Sequence, residues 1–285
     1  MKENILNYLQ ENVLKVSKSQ RLVADYILKN PIESTYSTIE AMAKKVGVST
    51  TTIVRLTINL GFSGYAEFQK ELRELLKKQS DPTVKLEMNL ESGLIKDNLV
   101  QEIINQQTGN LKATFETLVD ETILKAESLI TNSRKIYVIG GRSCYGVAHY
   151  LYYNLNRVYG KCELLSDEGT TLPEKIVKMR EGDVIISLTL PRYIKNVIDV
   201  TEIAKGRGAT VIGITDGYMS PLANHADILF TLSCKSLGFH NMATSLMLIA
   251  DILISVCTMN NVDNVKTNLA DIKRISDTLN IHINQ

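Results

Sequence analysis

An all-helical N-terminal domain joined to an α/β domain with a five-stranded parallel sheet flanked by helices is the fold class that the sequence predicts. Three observations carry it. Apolar residues in 1–78 recur only with helical spacing. From residue 98 onward, short runs rich in Val and Ile alternate with helical stretches. Between the blocks, 79–97 (QSDPTVKLEMNLESGLIKD) is polar, holds one of the five prolines and lacks a sustained apolar face, so it reads as a linker. The expected division is therefore a domain at 1–78, a linker at 79–97 and a second domain at 98–285.

Composition agrees with two domains. A chain of 285 residues holds about two at roughly 150 residues each. With 44% hydrophobic and 22% charged residues it can bury a core, which excludes wholesale disorder. The four cysteines, Cys144, Cys162, Cys234 and Cys257, form no CxxC pair and fit no zinc spacing. Free thiols in a reducing compartment are expected, with no metal and no cofactor. The N-terminus lacks the apolar core of a signal peptide, and no run of about 18 apolar residues occurs. The expectation is a cytoplasmic protein with no membrane partner.

In the second domain, helices are expected at 98–119 and 121–131. Apolar runs follow at 135–139, 162–165, 183–189, 210–215 and 228–232. Apolar runs without polar alternation mark strands buried on both faces. The helical stretches between them, 145–158, 171–180, 194–207 and 219–224, then imply a parallel sheet with right-handed crossovers. Helices at 241–259 and 264–280 close the chain. The helices at 98–119 and 242–259 are candidate surfaces for a homodimer or homotetramer.

In the first domain, residues 37–60 read STIEAMAKKVGVSTTTIVRLTINL. Ala43 lies four residues before Gly47, and Val48, Ile53 and Leu56 follow at offsets of one, six and nine. That is the helix-turn-helix pattern: a small residue where the helices cross, and a glycine that permits the left-handed backbone of the turn. Ser49 can cap the second helix. Its outer face carries Thr50, Thr51, Thr52, Arg55 and Asn59, the face that enters the major groove of DNA in this motif. Arg55 suits guanine edges or phosphates, and Ser49 and the threonines suit phosphates. Lys44 and Lys45 lie near the turn and can add phosphate contacts. Charge points the same way: residues 1–80 carry 12 Lys and Arg against 8 Asp and Glu, a net of +4, and the remainder carries 20 against 23, a net of −3. Double-stranded operator DNA is the expected partner.

This block resembles the N-terminal domain of the RpiR family of bacterial transcription regulators. The likeness covers 17–72: SKSQRLVADYILKNP is similar to that family's opening helix, and VGVSTTTIVRLTINLGFSGYAEFQKEL to its recognition helix and exit helix. Thr51 departs from the alanine common there.

In the second domain, residues 135–144 read KIYVIGGRSC, a buried strand running through Gly140, Gly141, Arg142 and Ser143 to Cys144 at a helix start. In an open α/β sheet, ligands sit at the carboxyl ends of strands near a topological switch point, and a helix N-terminus favours anions. The block from about 98 to 279 resembles the SIS (sugar isomerase) domain, most strongly in GDVIISLTLPRYIKNVIDVTEIAKGRGATVIGITD and SPLANHADILF. The resemblance implies a domain that binds a small anionic effector, a phosphorylated sugar or sugar derivative, and signals to the DNA-binding domain. In sugar-phosphate-binding SIS domains the loop after the third strand reads Ser-x-Ser-Gly-x-Thr. Here Thr189 takes the first serine position, Pro191 the second, Arg192 the glycine and Ile194 the threonine. The LPRY sequence instead resembles a branch of RpiR-like regulators with Phe-Pro-Arg-Tyr in that loop and Gly-Gly-Arg in the first. Arg142 and Arg192 can replace the lost hydroxyls, because a guanidinium binds phosphate or carboxylate bidentately. Alternatively they form salt bridges across a dimer interface. Tyr193 can stack or hydrogen-bond.

Two function classes follow: a ligand-responsive DNA-binding regulator, or a SIS-type sugar-phosphate isomerase or hydrolase with an added helical domain. Isomerisation needs a positioned base. Glu168, Glu174 and His240 are the candidates near the expected cleft, and none lies in a catalytic pattern. The regulator, not an enzyme, is the expectation.

Overall fold

The computed structural model describes residue 9 and residues 16–35, 37–79, 81–91, 98–166 and 171–280. Glu168 lies outside the described residues. The chain divides into two compact units, Met1–Glu91 and Ser92–Gln285. Among the described residues no single helix is long and apolar enough to cross a membrane.

The first unit is helical: α1 (Lys18–Lys29), α2 (Pro31–Ser34), α3 (Ile39–Val46), α4 (Thr50–Asn59), α5 (Tyr65–Gln79) and α6 (Pro82–Glu91). Helix α1 starts on a capping box in which the Gln20 amide donates to Ser17 Oγ and the Ser17 amide to Gln20 Oε1. It stops at Asn30, where Pro31 disfavours further helix. Val23, Ala24 and Ile27 of α1 pack with Met42, Ile53, Leu56, Phe68 and Leu72 in one core. Helix α6 lies within the span expected to be linker, where no helix was expected. Residues 82–91 are helical because Pro82 suits the first turn and Asp81 accepts from the Thr83 amide at 2.9 Å.

The second unit opens with α7 (Leu99–Phe115) and α8 (Asp120–Asn132). It continues as β1 (Ile136–Gly140), α9 (Ser143–Tyr159), β2 (Cys162–Leu165), α10 (Leu172–Ile176), β3 (Val184–Leu188), α11 (Lys195–Gly206) and β4 (Thr210–Thr215). A 3₁₀ turn (Pro221–Asn224), β5 (Ile228–Thr231), α12 (Thr244–Met259) and α13 (Val262–Thr278) complete it. All strand pairs are parallel, in the order β2-β1-β3-β4-β5. Ile136 pairs with Cys162 on one side and Val184 on the other. Successive residues of one strand feed opposite layers, which is why these runs show no polar alternation. Ile136, Val138, Ile186 and Ile214 pack with α8, α9 and α12. Tyr137, Ile139, Ile185 and Val211 pack with Val197, Val200 and Ala204 of α11. Helix α10 is shorter than the 171–180 expected.

Helix α7 buries polar side chains as well. Asn110, 1% exposed, donates to the Lys235 carbonyl at 2.7 Å and accepts from Ser233 Oγ at 2.8 Å. Thr114 Oγ1 accepts from the Ser233 amide at 3.0 Å. These bonds tie α7 to the segment between β5 and α12.

Candidate nucleic-acid interface and effector loops

Thr38 caps α3 by accepting from the Ala41 amide at 3.2 Å. Gly47 follows with φ 73°, a left-handed conformation that a Cβ would strain, and its amide donates to the Ala43 carbonyl. Ser49 then caps α4: its Oγ accepts from the Thr52 amide at 3.3 Å and exchanges a 3.0 Å bond with Thr52 Oγ1. The cap engages the Ser49 oxygen on its own helix, leaving its proton to be shared with Thr52 or given to a phosphate.

Met42 and Ala43 of α3 and Ile53, Leu56 and Thr57 of α4 are buried. Lys44, Lys45, Ser49, Thr50, Thr51, Arg55 and Asn59 are exposed, and Thr52 is half-buried. Helix α5 ties down the segment that leads into α3. Tyr65 Oη donates to the Ser37 carbonyl at 2.8 Å, Gln69 donates to the same carbonyl at 2.7 Å, and Arg73 donates to the Thr35 carbonyl at 2.8 Å. Burial pushes the Tyr65 phenol up to about 12. Phe62 packs edge-on against Phe68, with ring centroids 5.4 Å apart. The LGFSGY stretch thus sets the pose of the motif.

In the second unit, the chain leaves β1 toward β2 on one side and leaves β3 toward β4 on the other. The loops after β1 and β3 therefore meet at a switch point, where a crevice opens at the carboxyl edge of such sheets. The structure brings residues 140–144 and 189–194 together there. A Cβ on Gly141 would stand 3.0 Å from Ile194 Cγ1, and one on Gly140 would meet Ala148 Cβ at 3.0 Å. A side chain at either position would force its neighbour to give by a few tenths of an ångström. Both arginines hold left-handed backbone: Arg142 at φ 51° and Arg192 at φ 69°. Arg142, with ψ −124°, leads a turn closed by the Cys144 amide donating to the Gly141 carbonyl at 3.1 Å. Arg192 occupies the position that the family resemblance gives to glycine, and it keeps a glycine-like backbone. Such conformations strain an L-residue by about 1–3 kcal/mol and cluster at functional sites. Arg142, Ser143 and Arg192 are exposed. Among the described residues neither guanidinium has an acidic partner.

Cys144 and Thr189, placed in the same candidate site by sequence, lie beneath the loops at 3% and 2% exposure. Burial pushes the Cys144 thiol up to about 11, so it behaves as a neutral packing group. Thr189 Oγ1 is buried without a hydrogen-bond partner among the described residues. Tyr193 is half-buried, and its Oη donates to Asp216 Oδ1 at 3.1 Å. Thr215 Oγ1 donates to the same oxygen at 3.1 Å. Burial raises the Asp216 carboxyl above the ordinary aspartate value, and these donors offset part of the shift.

Sequence reasoning missed Ile194 as the packing partner of Gly141. It also missed Asn241, whose Nδ2 donates to the Pro191 carbonyl at 3.1 Å. Neither carries a local signal, because both contacts join segments distant in sequence. Asp216 directly follows β4, and its bond from Tyr193 likewise joins segments distant in sequence.

Residues 3–79 match the model of the helix-turn-helix domain of the rpiR family, and residues 129–250 match that of the SIS domain. Among curated relatives, the HTH-type transcriptional regulator HexR of Escherichia coli (strain K12) is 27% identical over 234 residues, 80% of this chain and 78% of the relative. The HTH-type transcriptional regulator RpiR of the same organism is 24% identical over 229 residues, 78% of this chain and 74% of the relative. Among solved structures, the Vibrio vulnificus NanR protein complexed with ManNAc-6P aligns over 97% of this chain and 99% of its own, with a TM-score of 0.59 and 22% identity. The sugar isomerase domain of an RpiR transcription factor from Sphaerobacter thermophilus aligns over 62% of this chain and 99% of its own, with a TM-score of 0.60 and 22% identity. These two likenesses establish the fold.

Proposed function

Because the chain belongs to the RpiR family of helix-turn-helix transcriptional regulators with a SIS domain, we propose that it regulates transcription in response to a phosphorylated sugar or related anion bound at loops 140–144 and 189–193. DNA contact falls to Arg55 and Thr50, Thr51, Thr52 and Asn59 of α4, with Lys44, Lys45 and Ser49 on phosphates. Effector contact falls to Arg142, Arg192, Ser143 and Tyr193, with Gly141 letting the two loops approach and Gly140 letting the first loop pack on the start of α9. Cys144 and Thr189 form the floor. The protein acts as a cytoplasmic homodimer or homotetramer rather than as an enzyme. A two-fold assembly matches half-sites one helical turn apart, and exposed Val100, Ile104 and Phe115 on α7 support self-association.

The observation that carries the sensing half is the pair of arginines on strained backbone at the switch point, with no acidic partner among the described residues. A guanidinium in that place suits a bidentate anion. The relative solved with ManNAc-6P supports a sugar phosphate.

The test has two parts. Retardation of the protein's own upstream DNA should weaken steeply between about 50 and about 200 mM salt, as released counterions require. Arg55→Ala should cost about 1–3 kcal/mol and relax one half-site position if it reads guanine. In the presence of a hexose phosphate found by thermal-shift screening, Arg192→Ala should abolish the effect on DNA affinity and leave effector-free affinity intact. Arg142→Ala should do so less completely. Loss of dimerisation in both arginine variants would assign them to an interface. A neutral sugar that acts on both variants normally would remove the anion reading.

A further inference from the structure

Ile58 is 52% exposed in the last turn of α4. At about 100° per residue, Thr51, Arg55 and Ile58 fall within an arc of about 60° on that helix. Ile53, Leu56 and Thr57, which are buried, occupy the opposite side. Ile58 therefore stands in line with the groove-facing residues and away from the core. Among the described residues nothing covers an isoleucine there. A β-branched side chain is a poorer helix former than Lys, Arg or Gln, and left in water it gains nothing from burial. The last turn of α4 also carries no basic residue, so this end of the face is not built for phosphate.

The major groove presents one apolar group on its base edges, the C5-methyl of thymine. Resting on the DNA-binding role of α4, we propose that Ile58 is a specificity-determining residue that packs on a thymine methyl. Ile58 lies about 4.5 Å along the helix axis beyond Arg55, so the thymine is expected beside the position that Arg55 faces.

The test is selection of binding sites from a random duplex library by the full-length protein, then replacement of each selected thymine by uracil, which removes only the methyl. The wild type should lose about fourfold in affinity per half-site at one thymine, the value of one buried methyl group. Ile58→Ala should bind thymine and uracil equally there and select no base at that step. Ile58→Gln should shift the preference toward adenine, which its amide can pair. The Arg55-dependent position should persist in both variants, showing that the helix is intact and correctly placed. Uracil sensitivity unchanged in Ile58→Ala, with the Arg55 preference intact, overturns the proposal while sparing the DNA-binding role. A changed oligomeric state with unchanged base preference also overturns it and makes Ile58 a protein contact. If neither Arg55→Ala nor Ile58→Ala alters any preference, the reading of α4 fails with it.

Discussion

Arg192 and Asp216 show how single residues set the character of the loop site. Arg192 pays for its place with a left-handed backbone that glycine would adopt freely. Arg192→Gly should therefore leave stability unchanged or raise it by about 1 kcal/mol, after the entropy that glycine adds to the unfolded chain. The same change should abolish the effector response. Urea unfolding midpoints and effector-dependent DNA retardation measure the two halves. A destabilised Arg192→Gly would mean that the side chain holds the loop together and is not held in reserve for a ligand. Asp216 has its carboxyl raised by burial. A raised carboxyl favours the neutral form in the fold, so its contribution is present at low pH and is lost as pH rises through the raised value. Asp216→Asn keeps an acceptor for Tyr193 and Thr215 without the charge. Relative to the variant, the wild type should lose unfolding free energy as pH rises past the ordinary aspartate range. A pH-independent difference between the two urea curves would show that the charge is not under strain.

Helices carry the links between segments. Asn110 on α7 satisfies both ends of its amide on the 233–235 segment, and Asn241 further along that segment holds the Pro191 carbonyl. Asn110→Ala leaves the Ser233 hydroxyl and the Lys235 carbonyl without their partner, so it should destabilise the second unit by about 1–3 kcal/mol in chemical denaturation. A loss below about 0.5 kcal/mol would show that water replaces the amide. Periodicity revealed that α7 and α4 exist, because apolar spacing is written locally. It left the inward polar face of α7 unread, since nothing local separates a buried asparagine from an exposed one.

At the scale of the whole molecule, each unit has its own core: residues 9–72 supply one, and residues 123–257 supply the two layers of the other. Separate cores need not unfold together. Two transitions are expected in calorimetry of the full chain. A sugar phosphate at about 100 times its dissociation constant should raise the second unit's stability by about 2.7 kcal/mol and leave the first unit's transition in place. A single transition that shifts as a whole with ligand would instead make the chain one cooperative body.

The sequence by itself determined the parallel sheet with its alternating helices, the helix-turn-helix and the loops at the switch point. Each rests on spacing along the chain: 3.6-residue periodicity, Val- and Ile-rich runs, glycines at turns. The buried and exposed faces of α4 followed from the same arithmetic. Only the tertiary structure decided that residues 82–91 are helical and that Cys144 and Thr189 lie under the loop surface. It alone brought Gly141 against Ile194, and Asn241 to Pro191. The reason is physical. Burial and loop apposition depend on which distant segments pack together, and a contact between residues 50 apart leaves no periodic trace in either one.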